Sequence, residues 1–478
     1  MRVLHAATEL FPYVKVGGLA DVLGALPAAQ RALGADVRVI LPGFPALLGG
    51  LRDLQPAGAV QDLPGTGPAR FLLGRSHDGV PVYLLDCPSL YDRPGGPYEE
   101  QGDSHLKFAG LAWGAAQLAL AGDGAGWRPE VVQAHDWQAG LLPAYLAQEG
   151  GGRQPRTVVT IHNMAYQGLF PANLLATLRL APGWFHPDGL EFYGQINFLK
   201  AGLAYADRIT TVSPSYAAEI QRPAAGAGLD GLLAHRARDL RGILNGVDYR
   251  VWNPATSPHV EAHYDAKRLS ARKINKNLLQ RATGLAEAAD TPLFAVVSRL
   301  AEQKGLDLVL DNVAYLIQLN AQLLVLGTGD PVLEAGFQAA AEAYPGQVAA
   351  MLAFDEGMAH RIMAGADVAL VPSRQEPCGL TQMYALRYGA LPLVRRIGGL
   401  ADTVVDSNPH SLLDSTATGF VFQEPTSWML GETIGRACKL YRQDPKAWAQ
   451  VQRQGMAQDF GWEAAAREYQ ELYKGLLG

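Results

Sequence analysis

The stretch LVPSRQEPCGLTQMYALRYGALPLVRRIGGLADTV, residues 370–404, decides the fold class. Ala369, Leu370 and Val371 read as the end of an apolar strand. A turn over 372–379 carries Arg374, Glu376 and Cys378, and a helix follows from Leu380-Thr381 to Tyr388. Residues 390–394 read as the next strand, and Gly398-Gly399 marks a second loop. Strand, turn, helix and strand in this order are the unit of a parallel α/β sheet. Ligands of such sheets sit at the carboxyl ends of the strands. A helix starting there directs free N–H groups and its positive dipole end at them, which suits phosphate. Gly379 permits close backbone approach and Thr381 offers a hydroxyl. Glu376 would repel phosphate, and suits sugar hydroxyls or a developing positive charge. A loop with a phosphate end and a carboxylate end fits a sugar nucleotide. A plain strand–turn–helix with a surface glutamate gives the same local pattern.

The alternation continues on both sides. Residues 293–297 form a strand followed by Arg299 and by Gln303-Lys304-Gly305. Two cations on one strand-end loop suit a diphosphate, Arg by bidentate bonding and Lys as a point charge; solvated surface cations are the plainer alternative. Strands are expected at 321–326, 348–354 and 368–372. At the amino end, a strand over 2–8, the loop Lys15-Val16-Gly17-Gly18, a helix over 19–33 and a strand over 35–41 open a βαβ unit. No G-x-G-x-x-G follows the first strand, so a nicotinamide or flavin site is not supported. Lys15 beside Gly17 and Gly18 favours phosphate, although two glycines serve a turn equally well. Asp21 falls in the first helical turn, where a carboxylate also complements the dipole.

Strands over 130–134 and 157–161 end at His135-Asp136-Trp137 and His162-Asn163. Asp136 could bind hydroxyls and Trp137 stack on a sugar; equally, Asp136 could cap a helix with Trp137 in the core. Polar residues at three strand ends favour a shared site. Residues 51–105 are rich in Gly and Pro, with short strands expected at 69–73 and 80–85 and a long loop over 91–103. An Ala-rich helix spans 108–120. A strand over 206–212 leads to Ser213, which caps a helix. The turn Asn245-Gly246-Val247-Asp248 precedes a restart of the strand–helix rhythm, so the domain boundary is expected near 245–255. The last helix, 462–476, is amphipathic and is expected to pack back on the first domain.

Size and composition bound the function. A chain of 478 residues exceeds one ordinary core, so two domains are expected. A net charge of −6 and a pI near 6.0 give no footprint for nucleic acid. Three widely spaced cysteines suggest neither a disulfide framework nor a zinc site. No basic segment with an apolar run opens the chain, and no run of about 18 apolar residues occurs. A cytoplasmic protein without membrane or nucleic-acid partners is expected.

Taken together, the motifs resemble the family 5 glycosyltransferases: the bacterial glycogen synthases and their relatives, the plant starch synthases. The resemblance rests on residues 15–22 (KVGGLADV), His135-Asp136-Trp137, Thr160-Ile161-His162-Asn163, residues 244–248 (LNGVD), Ser298-Arg299-Leu300 with Lys304-Gly305, and residues 376–382 (EPCGLTQ). It implies the GT-B architecture, two doubly wound Rossmann-like domains facing each other across a deep cleft: residues 1–248 on the acceptor side, 249–458 for the nucleotide sugar, and 459–478 crossing back. It also implies transfer of glucose from ADP-glucose to the non-reducing end of an α-1,4-glucan (glycogen or maltodextrin), with anomeric retention, release of ADP and no metal or other cofactor.

By position, Arg299 and Lys304 resemble the pair that neutralises the leaving diphosphate. Lys15, Gly17, Gly18, Cys378, Gly379, Leu380 and Thr381 resemble its cradle. Glu376 resembles the carboxylate that orients the glucose hydroxyls, and His162 the residue at the glucose 6-hydroxyl. Asp136, Asn163 and Asn245 resemble further sugar contacts, with Asp21 on the acceptor side. Residue 384, where animal-type synthases carry a second Glu, is Tyr, so no double-displacement nucleophile is visible. A UDP-glucose-using synthase, a phosphorylase on the same architecture and an inactive glucan-binding protein are the alternatives. The base pocket is expected around Phe354 and Asp355.

Overall fold

The computed structural model describes residues 1–152 and 154–478. The chain divides into two compact units. Unit 1 comprises Met1–Gly246 with Trp462–Gly478, and unit 2 comprises Val247–Gly461.

The main sheet of unit 1 holds β1 (Arg2–Ala6), β2 (Asp36–Pro42), β3 (Arg52–Leu63), β4 (Gly67–Arg75), β5 (Pro81–Asp86), β6 (Val131–His135) and β7 (Arg156–Ile161). A minor antiparallel sheet holds β8 (Leu169–Pro171), β9 (Glu191–Phe192) and β10 (Gln195–Asn197), and β11 (Arg208–Thr211) and β12 (Leu240–Gly242) complete the main one. The main order is β12-β11-β7-β6-β1-β2-β5-β4-β3. The seven strands from β12 to β5 are parallel, with Val3 beside Val37 and Val131 across β2, β1 and β6. Runs such as Val131–His135 and Thr157–Ile161 are buried throughout, as parallel strands covered by helices on both faces must be. The chain leaves β1 toward β2 on one side and returns to β6 on the other. The carboxyl ends of β1 and β6 therefore flank the topological switch point, where open α/β sheets bind ligands.

Unit 2 repeats the design with β13 (Leu293–Val297), β14 (Gln322–Leu326), β15 (Val348–Met351), β16 (Val368–Val371), β17 (Leu391–Arg395) and β18 (Phe420–Phe422). Its order is β15-β14-β13-β16-β17-β18, parallel throughout. The switch point lies between β13 and β16, the strands that carry the Arg299–Lys304 and Glu376 loops. Phe294, Val296, Leu323, Val325, Val368 and Leu370 sit in the core beneath it.

The C-terminal helix, Trp462–Leu477, belongs to unit 1 and lies against helix Gly18–Ala32. It buries Trp462, Ala466, Tyr469 and Tyr473, and Gln470 Nε2 donates to the Gln30 carbonyl at 3.3 Å. Among the described residues no helix is long and apolar enough to cross a membrane.

Two expectations are corrected. The segment expected to be irregular before residue 69 contains β3, a twelve-residue antiparallel strand. Its register shifts in three places, and most of its side chains are outside the core, so no alternation marks it. Gly398-Gly399 is not a loop but the start of helix Gly398–Thr403.

Candidate active site

In unit 2 the loops after β13 and β16 converge. Lys304 Nζ lies 2.7 Å from Glu376 Oε2, and Ser373 Oγ donates to the same oxygen at 2.8 Å. Glu376 is 8% exposed, so the carboxylate is held in a low-dielectric setting with its cation on one oxygen. Its other oxygen, Oε1, has no partner among the described residues.

The loop is braced on every side. Arg374 forks onto Asp307 with two bonds of 2.6 Å. Gln382 Nε2 donates to the carbonyls of Cys378 and Gly379 at 3.1 and 2.9 Å. A side chain on Gly398, whose φ is +45°, would collide with the Glu376 carbonyl; one on Gly399 would collide with that of Cys378. Gly305, at φ +67°, packs likewise under the Pro372 carbonyl.

Helix Thr381–Tyr388 starts at this loop without a side-chain cap, so its first N–H groups and positive end face the loop. Cys378 is a buried thiol and Gly379 takes φ +73°. Arg299 is exposed on the β13 loop. Tyr384 stacks on Trp252 with centroids 3.7 Å apart and planes 5° apart. Phe354 is 82% exposed, and Asp355 caps the next helix through Met358 N.

In unit 1 the carboxyl ends of β1, β6 and β7 gather a second polar set. Asp136 takes a left-handed φ of 56°, which Asp tolerates better than most residues. Its Oδ1 accepts from the backbone N–H of His162 at 2.7 Å and of Asn163 at 3.4 Å. Asp136 therefore shapes the His162 loop and caps no helix. Burial pushes its carboxyl up to about 7, against the pull of those two N–H groups and with Glu9 nearby adding to the rise. His162 Nε2 meets His135 Nδ1 at 2.9 Å, and burial lowers the pKa of His162 to about 3. Trp137 is half-buried and packs against Phe108, Phe170 and Phe198.

Glu9 organises the neighbouring loop. Its Oε2 accepts from Val16 N at 2.8 Å and Gly17 N at 3.0 Å, and its Oε1 from Tyr98 Oη at 2.5 Å. Lys15 Nζ pairs with Asp21 Oδ1 at 2.9 Å. A Cβ on Gly17 would meet nothing within 4 Å, and its φ of −146° suits any residue; the protein itself does not demand glycine there. Asn245 Oδ1 is buried without a hydrogen-bond partner, an uncommon state for a native acceptor.

Reading the sequence missed Glu9, Tyr98, Ser373, His5 and Gln30. Only Glu9 carried a signal, a charge within an apolar segment that proves 3% exposed. Among the described residues, no group of three or more His, Cys, Asp and Glu side chains is placed to hold a metal ion.

Residues 2–235 match the family described as the starch synthase catalytic domain, and residues 282–454 match the glycosyl transferases group 1. The glycogen synthases of Yersinia enterocolitica and Serratia proteamaculans are each 53% identical, over the whole of both chains. The chain belongs to the glycogen and starch synthase family. Within that family, the catalytic domain of starch synthase IV from Arabidopsis thaliana, solved with ADP and acarbose bound, superposes with a TM-score of 0.91. Its identity is 32%, and 99% of each chain is covered. Sucrose-phosphate synthase from Thermosynechococcus elongatus, 19% identical with a TM-score of 0.61, covers 100% of this chain and 99% of its own, and shares the fold alone.

Proposed function

We propose that the protein is a retaining glucosyltransferase that elongates an α-1,4-glucan such as glycogen or maltodextrin from ADP-glucose, releasing ADP. The observation that carries this reading is the Lys304–Glu376 pair at the unit 2 switch point, in a chain of this family. A carboxylate and an ammonium 2.7 Å apart suit a step in which positive charge grows at the sugar C1 while negative charge grows on the departing phosphate.

Arg299 and Lys304 neutralise that phosphate. The backbone of Cys378, Gly379, Leu380 and Thr381 lines its approach at a helix N-terminus, and Lys15, Gly17 and Gly18 are assigned to phosphate binding. Glu376 Oε1 accepts from glucose hydroxyls. His162, Asp136, Asn163 and Asn245 supply further sugar contacts, and Asp21 serves the acceptor. Tyr384 replaces the carboxylate that a double displacement would draw on, so we favour front-face attack. The acceptor oxygen bonds to C1 on the face from which the phosphate oxygen departs, and that phosphate takes the acceptor proton. The reaction is proposed to need no metal and to proceed in the cytoplasm, apart from membranes and nucleic acid.

The test is glucose incorporation into glycogen primer from ADP-glucose and UDP-glucose in parallel, with chelator present. Incorporation from ADP-glucose is expected. Preference for UDP-glucose would overturn the donor, dependence on added metal would overturn the metal independence, and glucan binding without incorporation would overturn the reaction.

A further inference from the structure

A buried file of polar side chains runs from the C-terminal helix to His162. His162 Nε2 meets His135 Nδ1 at 2.9 Å, His135 Nε2 meets His5 Nδ1 at 3.0 Å, and His5 Nε2 meets Gln30 Oε1 at 2.8 Å. His5, His135 and Gln30 are fully buried, and burial lowers the pKa of all three rings. Three neutral imidazoles carry three N–H groups, and the file contains three hydrogen bonds. A neutral ring has one donor and one acceptor nitrogen, so all three bonds must point the same way, and the terminal amide decides which way.

The direction is set by the last acceptor. Gln30 presents its oxygen to His5 and its Nε2 donates to Tyr473 Oη at 3.2 Å. Tyr473 in turn donates to Gln133 Oε1. Gln133 Nε2 donates to Thr160 Oγ1 at 2.6 Å, and Thr160 exchanges a bond of 2.8 Å with Thr210 Oγ1. Reversing the file would require both amides to flip together. With Gln30 as the sink, His5 and His135 each donate through Nε2, and His162 does the same.

We infer that Gln30, His5, His135 and Tyr473 are positioning residues that lock His162 in the Nε2–H tautomer, so that its Nδ1 lone pair accepts from a sugar hydroxyl. Which nitrogen of a histidine holds the proton is set by the bond the other makes, and here that choice is made remotely, by an amide braced by a tyrosine of the terminal helix. The role given to the lone pair rests on the proposed sugar contact of His162; the tautomer itself does not.

The experiment has two arms. Nitrogen NMR of the full-length protein labelled with ¹⁵N-histidine, with His162→Gln to assign the signal, reads the tautomer. A non-protonated Nδ1 and a protonated Nε2 on His162 are expected, and the reverse would overturn the inference. Kinetics with monodeoxy-glucose donors read the consequence. The wild type should discriminate strongly against one deoxy position. Gln30→Met should shrink that discrimination by about tenfold, the worth of one hydrogen bond, and Tyr473→Phe should act in the same direction. Gln30→Glu, which keeps an acceptor toward His5, should restore it. Unchanged discrimination in both Gln30→Met and Tyr473→Phe would overturn the positioning role. If His162→Ala leaves the deoxy profile untouched, the sugar contact fails, while the nitrogen signals still decide the tautomer.

Discussion

Glu376 has one carboxylate oxygen engaged by the protein and is proposed to use the other on substrate. Its Oε2 is occupied by Lys304 and Ser373. Removing Lys304 leaves a buried carboxylate without its cation and, on the proposed function, deletes a stabiliser of the leaving phosphate. Lys304→Ala and Arg299→Ala are each expected to cost at least about 2.7 kcal/mol of transition-state stabilisation, by analogy with loss of an oxyanion donor. Steady-state kcat/KM checks this, and an unchanged value in either variant would remove that cation from the reaction. Glu376→Ala should lower kcat far more than it raises the donor KM, because its interaction grows as charge develops at C1.

The three linked histidines make a second residue-level prediction. Unfolded, each ring binds a proton near pH 6.5; folded, His5 does so only near 4 and His162 near 3, and His135 is also lowered. The unfolded state thus binds more protons below 6.5, and stability falls as pH falls through that window. Asp136 acts oppositely. Raised from 3.8 to about 7, it holds a proton in the folded state that the unfolded carboxyl lacks between about 4 and 7, so its contribution grows as pH falls. Three groups outweigh one, and the urea midpoint should drop between pH 6.5 and 4. A midpoint that rises over that interval would show that the rings are not held neutral.

At the scale of elements, five of the six strands of unit 2 were readable because they are continuous apolar runs, while the three-residue β18, Phe420–Phe422, was too short to stand out. Leu293–Val297 has the expected bounds, and Thr381–Tyr388 begins where the turn sequence said it should. Strand β3 was not readable, since its residues face away from the core and its register slips. The loops that carry the candidate residues were nameable from strand ends, but their contacts were not. Lys304 and Glu376 are 72 residues apart, and His5 and His135 are 130 apart. Gly398-Gly399 illustrates the limit: two glycines suggest a loop, while the structure uses them so that a helix can start directly beneath Glu376. Gly398→Ala combines a left-handed φ with a collision against the Glu376 carbonyl, so the loop must move. A displacement of about 1 Å can cost on the order of a hundredfold in rate. The expected outcome is a large fall in kcat with unit 2 still folded by circular dichroism; wild-type kcat would mean that the loop tolerates the shift.

At the scale of the whole molecule, connectivity makes an asymmetric prediction. Unit 2 is one continuous segment, Val247–Gly461, whereas unit 1 is completed only by Trp462–Gly478 at the far end of the chain. That last segment buries Trp462, Tyr469, Tyr473 and Leu476, and Tyr473 also closes the polar file at Gln30 and Gln133. Fully burying one such side chain contributes roughly 1.5–3 kcal/mol. The segment therefore accounts for a share of unit 1 stability comparable with the total of a small domain. We expect calorimetry of the full chain to resolve into contributions from two units. Deleting residues 462–478 should lower the unit 1 transition by many degrees and leave the unit 2 transition in place. Residues 247–461 expressed by themselves should melt cooperatively at the unit 2 temperature. If the deletion lowered both transitions equally, the two units would share one cooperative core, and the terminal helix would be a fastener of the whole chain rather than the last element of its first unit.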